Sequence, residues 1–172
     1  KLTIKDTLFF LVGDYSIDGI DACVAIMFNK ELAKEKNITD LYTLVENGAW
    51  TFDKFAEYTR MISEDLNGDQ KVVYTDDFYG LVGWSLDCDY NFYFGAGCTM
   101  FTHDDDHLPV YQPDVDRLQT VYDKIYKLII TQKSFHIKVE ENVANPGFHA
   151  EAAKVFKDGR ALFYAGYLSA GT

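Results

Sequence analysis

Basic residues are scarce in this chain: 16 Lys and Arg stand against 27 Asp and Glu, a formal net charge of −11 over 172 residues. Such a surface is repelled by phosphate backbones and by anionic lipid, which excludes nucleic acid and membrane surfaces as partners. Long apolar runs are missing too. The two most continuous, Leu8 to Val12 and Ala22 to Phe28, fall far short of the ~20 residues of a membrane span and suit buried strands. Cysteine is limited to Cys23, Cys88 and Cys98. That odd number, without CxxC spacing, indicates neither a disulfide framework nor a zinc site. A Cys88–Cys98 bridge would require close Cα atoms. There is no GxSxG, Cys23 lies inside an apolar run, and Cys88 has no basic neighbour to lower its pKa. Gly95-Ala96-Gly97 is not GxGxxG and follows no clear strand, which argues against a phosphate cradle. No signal peptide is visible and the first residue is Lys, which suits a fragment or processed chain and leaves the compartment open.

What is abundant is apolar and aromatic. The hydrophobic fraction is 48% and the aromatic fraction 16%, with 12 Tyr, 13 Phe and 2 Trp. A chain of this length suggests one domain that buries roughly 70% of its unfolded surface. Aromatic rings fill cores and also stack on sugars, and composition does not separate the two uses.

Along the chain, Leu8–Val12 and Ala22–Phe28 read as strands, and Asn29–Lys36 as a helix stopped by Asn37. Asp40 is placed to cap a helix through Glu46 that Asn47-Gly48 ends, and Thr51 to cap one from Phe52 to about Glu64. An acidic loop runs from Asp65 to Asp77, then Tyr79–Trp84 is strand-like. Ser85 opens a helix through Phe94, which Gly95 and Gly97 break. Cys98–Thr102 and Leu108–Tyr111 flank a polar turn, His103 to His107, and predict a hairpin. From Pro113, set in a first helical turn, to Ile130, an apolar stripe of Val115, Leu118, Val121, Tyr122, Ile125 and Leu128 predicts a helix. Phe148–Lys157 is another helix, ended by Asp158-Gly159, and Ala161–Tyr167 a last strand. There is no internal repeat, and the order leaves α/β and α+β open.

The run Phe28-Asn29-Lys30-Glu31-Leu32, then Asp40-Leu41-Tyr42-Thr43-Leu44-Val45-Glu46-Asn47-Gly48-Ala49-Trp50-Thr51-Phe52-Asp53-Lys54-Phe55, resembles family 1 of the extracellular solute-binding proteins. In that family a strand leads to FNK, then to LYELVENGxWTWDKF, and on to a DxNGDGK loop before YGL. Here the later pieces are Asp65-Leu66-Asn67-Gly68-Asp69-Gln70-Lys71 and Tyr79-Gly80-Leu81. The loop Gly13-Asp14-Tyr15-Ser16 and the segment Asp158-Gly159-Arg160-Ala161-Leu162-Phe163-Tyr164 also fit, in family order over nearly the whole chain. The resemblance implies a mixed, helix-rich α/β fold forming one lobe of a two-lobed, type II periplasmic-binding-protein-like receptor. Residues 1–172 would form a single domain, most of the second lobe, with the other lobe and further carboxy-terminal chain missing. It implies a lipoprotein tethered outside the cell, a ligand that is often an oligosaccharide, and delivery to ABC permease subunits.

Asp65, Asn67 and Asp69 place oxygen donors at positions 1, 3 and 5 of a loop, Lys71 offers a backbone carbonyl at 7, and Asp76 or Asp77 closes it. That spacing suits the six to eight oxygens Ca²⁺ takes, although the usual Gly at position 6 is Gln70 and position 9 is Val73. The bland alternative is a solvated Asx-turn loop without metal. In family members with such a loop the ion is structural. His103, Asp104, Asp105, Asp106 and His107 read as an exposed hairpin tip, and His136 and His149 as isolated.

The ligand candidates are rings near element ends with polar neighbours: Trp84, Asp87, Tyr90, Asn91 and Tyr164. Asp14 and Asp21 join them as acids near the family's ligand-side loop. Phe92, Phe94, Phe101 and Phe163 are assigned to the core, and Trp50 to anchoring the helix after it. Asp87 and Asp89 lie beside Trp84 and Tyr90, where a glycosidase could use two carboxylates, but an acidic chain offers many chance pairs. Binding a sugar hydroxyl needs only an acceptor there, so the expected function is non-catalytic solute binding, with a calcium-stabilised surface module and a glycoside hydrolase as the rivals.

Overall fold

A computed structural model describes residues 3–9, 19, 22–70, 77–83, 85–128, 135–136 and 148–168. Their architecture is mixed α/β, with six helices and a small sheet among the described residues. The sheet has four strands: β3 (Val24–Phe28), β4 (Tyr79–Gly83), β7 (Phe135–His136) and β8 (Ala161–Tyr167), in the order β3-β8-β4-β7. β8 pairs antiparallel with β3 and parallel with β4, and β4 pairs parallel with β7. β4 and β8 are unbroken apolar runs, YGLVG and ALFYAGY, as strands covered on both faces require.

Those two faces have separate cores. Leu81, Phe163 and Ala165 pack with Leu32 and Ala33 of helix α1 (Lys30–Glu35), Leu41 of α2 (Leu41–Glu46), and Phe55, Tyr58 and Ile62 of α3 (Phe52–Ile62). Val82 and Tyr164 face the other way, onto Ala152 and Val155 of α6 (Phe148–Lys157). α3 seats itself against β4 at Gly80, where a Cβ would stand 2.0 Å from the Thr59 carbonyl oxygen, so a side chain there would hold helix and strand apart. Trp50 packs on Phe55, Tyr58 and Phe163 with ring centroids 6.0, 6.3 and 5.9 Å away, anchoring α3 as the sequence suggests.

Local chemistry sets the helix ends. The side-chain oxygens of Asn29, Thr51 and Asp114 accept from the backbone N–H of Leu32, Lys54 and Arg117, capping α1, α3 and α5 (Val115–Tyr126). Gly159, at φ +78°, turns the chain out of α6 into β8.

Several expectations change. Leu8 and Phe9, the described part of the first apolar run, are exposed; Leu8 belongs to a two-residue hairpin of β1 (Thr3–Ile4) with β2 (Thr7–Leu8), which has no second face to bury. Asp40 makes no capping bond, because its carboxylate accepts from Tyr58 instead. Pro113 precedes the cap residue Asp114 rather than entering the helix; α5 runs to Tyr126, helical turns continue through Leu128, and Ile129 and Ile130 lie outside the described residues. Of its stripe, Ile125 and Leu128 are buried, whereas Val115 and Tyr122 lie in solvent, since α5 rests on α4 (Ser85–Gly95) rather than on the sheet. Phe92 joins the core edge and Phe163 the core, but Phe94 and Phe101 are 67% and 57% exposed. Cys98 is buried with a free thiol, and the side chain of Cys88 lies outside the described residues. The hairpin of β5 (Phe101–His103) and β6 (Pro109–Tyr111) forms as expected, with Asp104 Oδ1 accepting from the N–H groups of Asp106 and Leu108.

Candidate functional site

The sheet register brings three chain segments to one edge. Gly83 ends β4 opposite Ala165, Ala165 stands opposite Ile26, and Tyr167 pairs with Val24 one step further out. The Leu168 N–H donates to the Cys23 carbonyl at 3.0 Å and closes the edge. α4 begins at Ser85, two residues after β4 ends, so its amino terminus rises from the same edge. This is the carboxyl end of the parallel pair β4 and β8, where open α/β sheets leave a crevice for ligands.

The sequence candidates divide around this edge. Trp84 and Asp21 adjoin Gly83 and Ala22 in the chain and lie outside the described residues, as does Asp14. Asp87 belongs to the first turn of α4, though its side chain lies outside those described. Tyr90 and Asn91, in the next turn, are exposed, Tyr90 by 58%. Tyr164 parts company with them. It is 1% exposed, three residues before the end of β8, with its ring stacked 5.7 Å from Phe156. Strand periodicity turns it onto the α6 face, away from solvent. The aromatic residue that β8 carries to the edge is Tyr167.

A second concavity of about 290 Å³ opens beside β3, lined by Ile26, Phe28, Leu41, Tyr42, Val45, Glu46, Trp50 and Phe163. Phe28 meets Tyr42 edge-on at 5.5 Å, and Lys30 Nζ lies 5.6 Å from the Tyr42 ring centre. Its lining was missed in the sequence, yet a signal was there. α2 reads LYTLVE: Leu41 is buried, while Tyr42 and Val45, one and four residues on, stand exposed beside it. An apolar face that continues past the buried Leu41 onto exposed residues leaves surface for a second contact.

The acidic loop is organised by its own side chains. Asp65 Oδ1 and Oδ2 accept from the N–H groups of Gly68 and Gln70, each at 2.7 Å, and Asn67 Oδ1 accepts from Asp69 at 2.9 Å. Asp77, fully buried, accepts from Leu66 N–H at 2.9 Å and ties the far end of the loop to its start. Gln70 adopts φ +65°, the conformation that position 6 of a calcium loop demands and that Gly usually supplies. Among the described residues no three His, Cys, Asp or Glu gather as for a metal ion. Lys71 and Asp76 lie outside them.

Burial pushes the Tyr79 hydroxyl up to about 12, with the negative charge of Asp77 adding to it. Tyr58 rises to about 12 as well, first through burial and then through its hydrogen bond to Asp40. Both belong to the packed interior.

Comparison with family models, curated proteins and solved structures finds no match.

Proposed function

We propose that this chain is a non-catalytic solute-binding lobe, one half of a type II two-lobed receptor that serves an ABC importer. The observation that carries the reading is the shared edge: β4 hands its carboxyl end to α4 beside Tyr167 and the start of β3. Trp84, Asp87, Tyr90, Asn91, Asp14 and Asp21 are the side chains proposed to meet the ligand there. A carbohydrate suits this set best, because rings stack on sugar C–H faces while carboxylates and amides take the hydroxyls. A ligand bridging two lobes would shift a hinged equilibrium toward the closed form, with transport energy supplied by the partner ATPase. The receptor would be extracellular and lipid-anchored. No helix among the described residues is long and apolar enough to cross a membrane.

Calcium belongs to this reading as a structural ion. Asp65, Asn67 and Asp69, with Lys71, Asp76 and Asp77, would hold it, and it would tie the loop between α3 and β4. The positive φ at Gln70 and the inward-folded Asp65 carboxylate support that role.

The test is ligand-observed NMR of the chain against a pooled oligosaccharide panel, read again after a day and repeated with Trp84→Ala. Saturation transfer to particular sugars, without new product signals and lost in the variant, is the expected result. Product signals would replace this reading with a glycosidase. Transfer that Trp84→Ala leaves unchanged would move the site away from the sheet edge.

A further inference from the structure

We propose that the groove between α3 and α5 binds a small organic anion, one with a carboxylate or phosphate head and an apolar body. The groove holds about 230 Å³ and is lined by Phe52, Asp53, Ala56 and Arg60 from α3, facing Lys124 of α5 and Lys127 and Leu128 just after it. The spacing on both helices places these residues on single faces. Three cations and one carboxylate leave a local charge of +3 − 1 = +2, in a chain whose total is −11. An isolated positive groove in an acidic surface concentrates anions at that point.

Of the three cations, only Lys124 is held by a carboxylate among the described residues. Lys124 Nζ bonds Asp53 Oδ1 at 2.5 Å, drawing the two helices together. Arg60 Nε donates to the Ala56 carbonyl at 3.3 Å, which steadies the guanidinium along the helix. Among the described residues no carboxylate pairs with Arg60 or Lys127. Lys54, six residues before Arg60 in the same helix, shows the alternative: it pairs with Glu57 at 2.9 Å and lies over the Tyr58 ring. The floor of the groove is apolar, with Leu128 fully buried and Phe52 and Ala56 half-buried. A fork-shaped donor and an ammonium above such a floor match a carboxylate or phosphate oxygen cluster carried on a hydrophobic body. The site owes nothing to the sheet edge, since neither α3 nor α5 contributes there.

The experiment is a ¹H–¹⁵N titration of the chain with phenyl phosphate and, separately, inorganic phosphate, at fixed ionic strength. Phenyl phosphate is expected to shift the amides of residues 52–60 and 124–128 together, saturating in about the millimolar range, and to bind several-fold more tightly than inorganic phosphate. Arg60→Gln and Lys127→Gln should each weaken it at least threefold. Asp53→Asn, which releases Lys124 and removes the competing carboxylate, should tighten it about two- to fivefold. A gain of affinity is a readout that damage to the fold would not produce. Diffuse shifts that follow the exposed lysines generally, or an Asp53→Asn variant that binds more weakly, would overturn the proposal.

Discussion

Tyr58 donates its hydroxyl to Asp40 Oδ1 at 2.7 Å, joining the second turn of α3 to the residue that precedes α2. The bond takes the Asp40 side chain away from capping and makes it a strut between helices. Tyr58→Phe should therefore lower the unfolding free energy by about 1–3 kcal/mol, the usual value of a bond to a charged acceptor. Urea denaturation checks this, and an unchanged midpoint would reduce the bond to an ornament of packing.

Alkaline pH acts on the same tyrosine and on Tyr79. Both folded pKa values, about 12, lie above the ordinary 10.0, so the folded state favours the neutral phenol. The stability this contributes is whole below pH 10 and is lost as pH rises from 10 through 12. The unfolding free energy measured from pH 9 to 11.5 should fall steadily above pH 10, and Tyr79→Phe should flatten part of that slope. A slope identical in the variant would remove Tyr79 from the explanation.

The approach of β4 to α3 leaves no room at Gly80. A Cβ there meets backbone atoms of Thr59 rather than a movable side chain, so Gly80→Ala must push helix from strand. The expected cost is about 3 kcal/mol or more, at the upper end for overpacking. In a domain of this size that is roughly 6–12 °C in Tm. Ser63→Ala, which removes the hydroxyl that accepts from Gly80 N–H and donates to the Thr59 carbonyl, each at 3.2 Å, should cost about 1–2 kcal/mol. Calorimetry of the two variants separates steric from hydrogen-bond loss, and equal costs would refute the close approach.

Tyr164 offers a contrast between ring as ligand contact and ring as core. Its burial predicts that Tyr164→Ala costs about 3–5 kcal/mol through the cavity it leaves. A variant that keeps wild-type stability while losing sugar contact would return the ring to the cleft.

For the acidic loop, Gln70 pays the strain of a left-handed conformation, which Gln70→Gly should relieve by about 1 kcal/mol. If calcium occupies the loop, EDTA should lower Tm by roughly 5–10 °C for an ion held at about 100 times its Kd. The glycine variant should bind it more tightly. A melting curve indifferent to EDTA would leave Asp65 with its backbone bonds alone.

Much of the element order was legible in the sequence because its signals are local. A cap oxygen three residues before its N–H, a Gly with positive φ, and an apolar run of strand length act within a few residues, and α1, α3, α6 and β8 follow them closely. Whether an apolar side chain is covered is a different matter, since that depends on what another part of the chain lays over it. Val115 and Tyr122 keep helical spacing yet face solvent, and Phe94 and Phe101 are exposed for the same reason. Tyr164 and Tyr167 are neighbours in composition and in chain, but strand alternation and the position of α6 bury one and carry the other to the edge. The pairing of Asp53 with Lys124 spans 71 residues and has no trace in either segment alone. The sequence by itself determined most of the elements and several of their ends. The tertiary structure decided which faces are covered and which distant charges meet, because burial and ion pairing arise only between elements that packing has brought together.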